Sequence, residues 1–265
     1  MCFEEYTKYE WRYTMKKLSL ATAIFAASVT LITANANAYQ AEVGASYDYT
    51  DFDHGSSADV IGVDGTYYFN PVSVKNSPYN EAAFLNSASN VKGSLKFSDD
   101  DIRARAAVEY FVPNSQFYLS GNLGYTNPDN SAANDIFKYG AEVGYLPMPG
   151  LLLAVGFAGQ DVEGQDNDID PSLRAKYVTK VSGYDVNFEA GTTFGDVDVY
   201  NLGADIYLDP TLSLGVAYES NFDSVTDDIF SLRAKKFLNQ QVSVEGSVGF
   251  GDDANEFGLR AAYRF

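Results

Sequence analysis

Apolar residues alternate with small or polar residues along almost all of the sequence from residue 39 onward, and this period of two constrains the fold most. In the first such segment, Ala41, Val43 and Ala45 alternate with Glu42 and Gly44. Successive side chains of a β-strand point to opposite faces, so the alternation predicts strands with one apolar face. About fourteen segments follow this pattern, each of roughly 8–13 residues, close to the length of a tilted membrane strand.

The connectors between these segments alternate in kind. Tight turns such as Ser182-Gly183 and Asp209-Pro210 follow even-numbered segments, whereas longer acidic stretches such as 53–59 and 161–170 follow odd-numbered ones. Short turns at one end and long polar loops at the other are typical of outer-membrane barrels, whose termini are both periplasmic. We therefore predict an all-β fold, a transmembrane antiparallel up-and-down β-barrel of about fourteen strands, with twelve to sixteen possible. A soluble β-sandwich or soluble barrel is the alternative.

The composition excludes several other classes of protein. The sequence has 36 acidic and 18 basic residues and a formal charge of −18, so it lacks the basic surface that a nucleic-acid-binding protein needs. A single Cys and a single His exclude a Cys/His zinc site, and we expect no cofactor. The stretch 166–170 begins like a calcium loop, but Pro171 stands where that loop needs Gly, so no metal site is predicted.

The N-terminal region has the layout of a secretory signal. Lys16 and Lys17 precede the apolar stretch 18–32, and Ala36 and Ala38 match the A-x-A cleavage pattern. An N-terminal anchor helix is the alternative, but the apolar stretch is short for a membrane span. The predicted organisation is an extension ahead of the true initiator at 1–14, a cleaved signal peptide at 15–38, and a single barrel domain at 39–265.

Two stretches resemble known proteins in specific residues. The last residues, LRAAYRF, resemble the final strand of Gram-negative outer-membrane porins, and residues 77–91, SPYNEAAFLNSASNV, resemble a segment of uncharacterised proteobacterial porins. The resemblance implies a porin of the Gram-negative outer membrane. It also implies that the barrel-assembly machinery reads a C-terminal signal made of Leu259, Ala261, Tyr263 and Phe265. The chain is shorter than trimeric general porins and resembles fourteen-stranded monomers in size, and both a monomer and a homotrimer stay open.

The register of the apolar face assigns almost all basic residues of the barrel to a water-filled lumen. Opposed rows of charge would create a transverse field that sorts solutes, whereas cross-strand pairing of the same charges is the alternative. Small residues on this face, such as Gly44, Gly124 and Gly215, favour open space. The proposed pore-lining residues are Lys92, Lys96, Arg103, Arg105, Glu109, Lys138, Glu142, Arg174, Lys176, Lys180, Glu189, Asp205, Glu219, Arg233, Lys235, Glu245 and Arg260.

The stretch 71–90 fits the barrel pattern worst. It is too long for a periplasmic turn, contains Pro71 and Pro78, and alternates only weakly. Two expectations stay open for it: it prolongs the third strand, or it folds into the lumen as a constriction.

The predicted function is an outer-membrane channel for passive diffusion of small hydrophilic solutes and ions. The alternative is a structural or adhesive barrel with an occluded lumen. An outer-membrane hydrolase would have to use His54 beside Ser56 and Ser57, but no G-x-S-x-G motif accompanies them, so no enzymatic activity is predicted. Acidic loops would make the outer rim negative, where divalent ions could bridge it to membrane lipid and lipopolysaccharide.

Overall fold

The structure, a computed structural model, describes residues 38–99, 101–128, 134–162, 167–195, 199–221 and 228–265. The predicted signal segment before Ala38 therefore lies outside the described residues, as do parts of several acidic loops. Within the described ranges the chain is almost entirely β-strand. The strands are β1 (Ala38–Phe52), β2 (Ala58–Ser73), β3 (Asn90–Phe97), β4 (Asp101–Phe111), β5 (Phe117–Pro128), β6 (Ile136–Met148), β7 (Leu151–Val162), β8 (Asp168–Val181), β9 (Tyr184–Thr193), β10 (Val199–Asp209), β11 (Leu212–Asn221), β12 (Ile229–Phe237), β13 (Val242–Phe250) and β14 (Ala254–Arg264).

The strands form one closed antiparallel barrel in which each strand pairs with its neighbours in sequence and β14 pairs with β1. At this closing seam Ser46 lies opposite Arg260, and the amide of Ala41 donates to the carbonyl of Phe265 at 3.0 Å. Closure leaves no sheet edge with unpaired backbone groups, as a strand surrounded by hydrocarbon requires. The predicted fold class is confirmed.

Two strands begin earlier than the alternation indicates. β8 starts at Asp168, not at residue 172, and Pro171 pairs opposite Phe157 although it has no amide to donate. β14 starts at Ala254, where Asn255 lies opposite Phe250. Both strands start in polar sequence, where no alternation of apolar and polar residues can indicate a strand. Backbone hydrogen bonds to the neighbouring strand nevertheless extend each strand into this region.

The two faces of the barrel differ in chemistry. Large apolar side chains stand exposed on alternate positions of the strands, with Leu123 at 52%, Val155 at 59% and Leu259 at 57% of full exposure. A water-soluble protein rarely exposes apolar surface so continuously, whereas a membrane barrel presents it to lipid. We call this the outer face. Within the described ranges, no helix has the length and apolar character needed to cross a membrane.

One segment leaves the barrel wall. Residues 74–89, which we call the plug, connect β2 to β3 and contain a single helical turn, α1 (Ala82–Leu85). The plug contacts side chains from β4, β8, β10, β12 and β14. A segment that contacts strands all around a closed barrel must lie inside it, so these side chains identify the inner face. We call the end that holds the plug the plug end and the opposite end the loop end.

Candidate functional site

The plug is attached to the inner wall through a buried carboxylate. Glu81 is 2% exposed, and it accepts a hydrogen bond from the hydroxyl of Tyr207 on β10 at 2.5 Å. Its other oxygen lies 2.9 Å from the ammonium of Lys176 on β8. A charge without water around it must be compensated by partners, and Tyr207 and Lys176 are well placed to provide that compensation.

Backbone and aromatic contacts extend the attachment of the plug from the end of β10 to β14. The amide of Tyr79 donates to the carbonyl of Pro210 at 2.8 Å, and the guanidinium of Arg264 donates to the carbonyl of Tyr79 at 2.9 Å. The ring of Tyr79 packs edge-on against Phe237, with centroids 5.5 Å apart. The plug therefore crosses the lumen from β8 and β10 to β12 and β14.

Apolar packing completes the contacts of the plug. Phe84 lies against Phe111 on β4, with ring centroids 6.4 Å apart, and joins a buried cluster with Tyr118 and Leu152. A second cluster unites the plug with the first two strands and contains Tyr39, Tyr68, Val72, Val74, Ala82 and Ala88. Buried apolar clusters of this kind hold a segment in a defined position.

Of the two expectations for residues 71–90, folding into the lumen is the one that the structure shows. β2 extends to Ser73 and β3 begins only at Asn90, so the third strand is not prolonged. Small residues such as Ala82 and Ala88 allow close packing inside the barrel, where both are almost fully buried.

The inner wall near the closing seam carries the first of three charge clusters. Arg260 on β14 lies 2.5 Å from a carboxylate oxygen of Asp64 on β2 and 3.0 Å from one of Glu42 on β1. Arg264 also contacts Glu42 and stacks over the ring of Tyr39 at 4.4 Å. The cluster links strands from both sides of the seam.

The second cluster extends from β3 to β8. Lys92 lies 2.6 Å from Glu109, which also accepts a hydrogen bond from the hydroxyl of Tyr118 at 2.9 Å. Arg174 donates to that hydroxyl at 3.0 Å and to Glu142 at 2.8 Å. Tyr118 therefore connects two ion pairs that lie on different strands.

The third cluster lies beside the plug. Arg233 on β12 forms a two-point contact with Asp205 on β10, at 2.8 and 2.7 Å. The side-chain amide of Asn187 donates to both Asp205 and Glu189, at 3.1 and 2.9 Å. Glu189 in turn lies 2.5 Å from Lys176, the residue that also holds Glu81 of the plug.

Several other predicted residues of the lumen form simple pairs. The pairs are Lys96 with Asp48 at 3.0 Å, Arg103 with Asp101 at 2.7 Å, Lys180 with Asp185 at 2.9 Å, and Lys235 with Glu245 at 3.2 Å. These are cross-strand or local contacts between opposite charges, which stabilise neighbouring strands modestly. The alternative of cross-strand pairing thus describes most of the predicted charged residues.

Four charged side chains of the inner face make no ion pair with any residue in the described ranges. Arg105 on β4 and Lys138 on β6 are basic, and both are exposed within the loop half of the barrel. Glu219 on β11 and Glu256 on β14 are acidic, and together they line a recess of about 380 Å³ with Arg233. Free bases and free acids therefore lie on different parts of the wall.

The expectation that small inner residues leave open space is wrong at several glycines, and Gly44 and Gly215 show the reason. A Cβ atom at Gly44 would lie 2.5 Å from the guanidinium of Arg260 and 2.7 Å from Asp64. A Cβ atom at Gly215 would collide with Asp205 and lie 2.9 Å from Nε of Arg233. These glycines make room for ion pairs that lie flat on the wall.

Four residues of the site were missed in the sequence. Glu81 lies in the weakly alternating stretch, where no period assigns its direction. Tyr118 and Tyr207 have the parity of inner residues, which could have identified them, but as aromatic residues they also fit an interface girdle. Glu256 was assigned to a loop, and its strand β14 begins earlier than predicted.

The residues of the predicted C-terminal signal lie on the closing strand β14, except Phe265, which directly follows it. Leu259 is exposed on the outer face, whereas Phe265 is 5% exposed and packs against Ala41 and Val43, with Tyr263 beside it. Recognition of Leu259, Ala261, Tyr263 and Phe265 by the assembly machinery stays a prediction. The cleavage-site residue Ala36 lies outside the described residues, and Ala38 is the first residue of β1.

The structure provides no geometry for a metal centre in its described part. There, no group of three or more His, Cys, Asp or Glu side chains is arranged to hold a metal ion. His54 is exposed in the connector between β1 and β2.

A closed barrel with an apolar outer face, a charged inner face and a plug inside one end defines an outer-membrane channel. Residues 15–190 match the model of the family described as "Putative general bacterial porin". The chain belongs to this porin family, and its place is the outer membrane.

Comparison with solved structures agrees with that assignment. Outer membrane protein Omp33 of Acinetobacter baumannii is similar to the chain at 27% identity and a TM-score of 0.74, covering 87% of this chain and 100% of that one. KdgM porin matches at 10% identity and a TM-score of 0.46 over 84% of this chain and 99% of that one. A loop-deletion mutant of OmpT from Vibrio cholerae matches at 11% identity and a TM-score of 0.41, over 87% of this chain and 100% of that one. The last two similarities are too low to bear on function, and no curated protein matches the chain.

Proposed function

We propose that this porin lets small hydrophilic solutes and ions diffuse passively through a lumen that the plug narrows at one end. The observation that carries the proposal is the position of the plug, which crosses the interior between β8 and β14 while charged side chains line the wall beyond it. A charged, hydrated wall suits polar solutes, and a narrow section sets an upper limit on their size.

The orientation of the barrel is part of this proposal. The plug end carries short turns, such as residues 149–150 and 182–183, and the loop end carries longer acidic connectors. Because outer-membrane barrels have short turns on the periplasmic side, the plug and both termini would face the periplasm. A peptide tag inserted after Gly55, in the first long connector, should then bind its antibody on intact cells, whereas a tag at the C-terminus should not.

The free charges support sorting of solutes by charge. In a closed barrel of fourteen strands, β5 lies opposite β12. Arg105 and Lys138 flank β5, whereas Glu219 and Glu256 lie on β11 and β14, near the opposite side. A field across the loop half of the lumen follows from this separation.

Single-channel recording in planar bilayers tests the proposal. We expect discrete steps from the purified barrel, and larger steps from a variant in which a short Asn-Gly turn replaces residues 74–89. The matched control is a barrel in which Asn-Gly replaces Ser182-Gly183, a short turn at the same end. This replacement should leave the conductance unchanged. Absence of steps from both the intact and the shortened barrel, when both are folded, would contradict a channel.

The plug also favours a second candidate, a barrel that is closed at rest. Its polar, aromatic and apolar contacts reach five strands besides those that it connects, so the open state would require several of them to break. The same recording distinguishes the two candidates. Steps from the shortened barrel alone would indicate closure at rest.

We infer further that the barrel has no enzymatic activity and that its partners are those of a porin. These are the barrel-assembly machinery, outer-membrane lipid and lipopolysaccharide, and the solutes themselves, with no nucleic acid. Alanine at His54 tests the first inference, because any detected hydrolysis that depends on His54 would contradict it. The mass of the detergent-solubilised complex separates a monomer from a homotrimer.

A further inference from the structure

We propose that Arg105 and Lys138 form a binding site for the oxyanion of a permeating solute, a carboxylate or a phosphate group. The site lies in the loop half of the lumen, on the wall formed by β4, β5 and β6. It rests on the proposed function, because a solute reaches this wall only from a water-filled lumen.

The register brings the two bases to either side of a glycine. Arg105 lies opposite Gly124, and Gly124 lies opposite Lys138 on the next strand. Neighbouring strands are about 4.8 Å apart, so the two bases start about 10 Å from each other. A Cβ atom at Gly124 would lie 3.5 Å from Cβ of Lys138 and 3.9 Å from Cγ of Arg105. The missing side chain leaves a cleft into which both cationic groups can turn.

The two bases are exceptional on the inner wall because neither has a counter-charge among the residues that the structure describes. The other inward bases in the described ranges each lie within 4 Å of a carboxylate, and these are Lys92, Lys96, Arg103, Arg174, Lys176, Lys180, Arg233, Lys235, Arg260 and Arg264. Two like charges that turn toward the same glycine between them repel each other. An anion between Arg105 and Lys138 removes that repulsion.

The surroundings of the site add polar groups and little negative charge. Ser94 lies opposite Arg105 on β3, and Gln160 lies opposite Lys138 on β7. Asn122 stands two positions from Gly124 on the same face, and its amide nitrogen would lie 3.0 Å from a Cβ atom at Gly140. The nearby acid Asp101 already pairs with Arg103 at 2.7 Å. An arriving anion therefore meets donors before it meets an uncompensated carboxylate.

The chemistry of the pair fits an oxyanion. The guanidinium of Arg105 presents parallel donors that match two oxygens of a carboxylate or phosphate, and the ammonium of Lys138 adds a second charge. Both side chains are exposed, so water and salt weaken the contact. Weak binding suits a channel, because a solute must leave the site to complete its passage.

The test compares three full-length barrels, which are the natural chain, R105Q/K138Q, and the control K236Q. The control removes a positive charge outside both the inner face and the plug, where Lys236 pairs with Asp209 at 3.4 Å. Succinate or inorganic phosphate is added during recording in dilute potassium chloride. Each should reduce the current of the natural barrel, and R105Q/K138Q should need at least about tenfold more of either anion for the same reduction, because two charge-assisted contacts are lost. The control should behave like the natural barrel.

Titration calorimetry of the detergent-solubilised barrels keeps the test independent of conductance. If succinate or phosphate releases heat of binding with the natural barrel and not with R105Q/K138Q, the site is supported even if no barrel conducts. A response to only one of the two anions identifies the group that is bound. Equal binding and equal current reduction in R105Q/K138Q and the natural barrel would overturn the site. A natural barrel that conducts but neither responds to nor binds these anions would also overturn it, while leaving the channel function intact.

Discussion

At the scale of single residues, the inner wall is mostly a set of paired charges. Arg260 with Asp64 and Glu42, and Arg174 with Glu142 and Tyr118, each combine an ion pair with further hydrogen bonds. Ion pairs that keep some contact with water contribute only about 0.2–1 kcal/mol each to the stability of the fold. Their main effect is therefore to fix the positions of the side chains. They hold side chains against the wall and leave a few free charges to act on solutes.

A residue at the rim of the loop end gives a pH-dependent prediction. The carboxylate of Asp135 accepts hydrogen bonds at 2.7 Å from both the hydroxyl of Tyr125 and the side-chain amide of Asn127. These donors favour the ionised form and hold the pKa of Asp135 below its ordinary value. Ionised Asp135 therefore stabilises the folded barrel fully above the pKa that an Asp has in the unfolded chain, about 3.9. This contribution is lost as the pH falls through the lower pKa that Asp135 has in the folded barrel.

We expect Tyr125→Phe to raise the pKa of Asp135 toward its ordinary value, as measured by carboxyl NMR of the barrel in micelles. Tyr145→Phe is the control, because the hydroxyl of Tyr145 donates to Gln116 at the plug end. A pKa of Asp135 that stays the same in Tyr125→Phe would show that the hydroxyl does not act on this carboxylate.

At the scale of elements, the sequence predicts strands well and the plug poorly. Each strand carries its own signal, because alternation in a segment such as 117–127 assigns every side chain to a face. The plug carries no such period, and its partners are remote, since Tyr207 lies 126 positions from Glu81. Pairing of inner charges likewise depends on the register between strands, which no single segment contains. The lack of an ion-pair partner for Arg105 and Lys138 in the described ranges could therefore not be predicted from sequence.

Adjacent residues of β5 test the assignment of faces. Leu123 is exposed on the outer face, whereas Asn122 is exposed on the inner face. We expect Leu123→Arg to lower the free energy of unfolding in lipid vesicles by about 2–4 kcal/mol, because the charge enters hydrocarbon. Asn122→Arg is the matched control and should change it by less than about 1 kcal/mol, since its charge remains in water. Equal losses from the two substitutions would contradict the assignment.

The contact between the plug and the wall gives a further prediction. Glu81→Gln keeps the shape of the side chain but removes the charge that holds Lys176 and Tyr207. Breaking a buried ion pair typically costs about 3–5 kcal/mol, so we expect the plug to leave its position more often and openings in single-channel recordings to become more frequent.

The matched control is Glu189→Gln, because Glu189 also pairs with Lys176 but lies on the wall, with its side chain 45% exposed. This variant should leave the opening frequency close to that of the natural barrel. If Glu81→Gln and Glu189→Gln change openings to the same extent, the charge of Glu81 is not what holds the plug.

At the scale of the whole molecule, the barrel is closed, its two faces differ in polarity, and its two ends differ in structure. The seam between β1 and β14 removes the last sheet edge, and the apolar surface then faces outward on every strand. Charge clusters line the interior, the plug occupies one end, and the four unpaired charges of the inner wall in the described ranges lie in the other half. If the proposed function holds, a solute that enters from the loop end meets these unpaired charges before it meets the plug.

Cysteine scanning along β5 tests most directly whether a watery interior lies behind an apolar outer face. The only cysteine of the sequence is Cys2, in the predicted N-terminal extension, so single cysteines at positions 119 to 124 can each be probed alone after its replacement by Ser. In vesicles, a charged, water-soluble thiol reagent should modify cysteines at Ser120, Asn122 and Gly124 quickly and those at Leu119, Gly121 and Leu123 at least about tenfold more slowly, because thiolate forms in water and not in hydrocarbon. Fast reaction at the odd-numbered positions and protection at the even-numbered ones would contradict the assignment of the two faces.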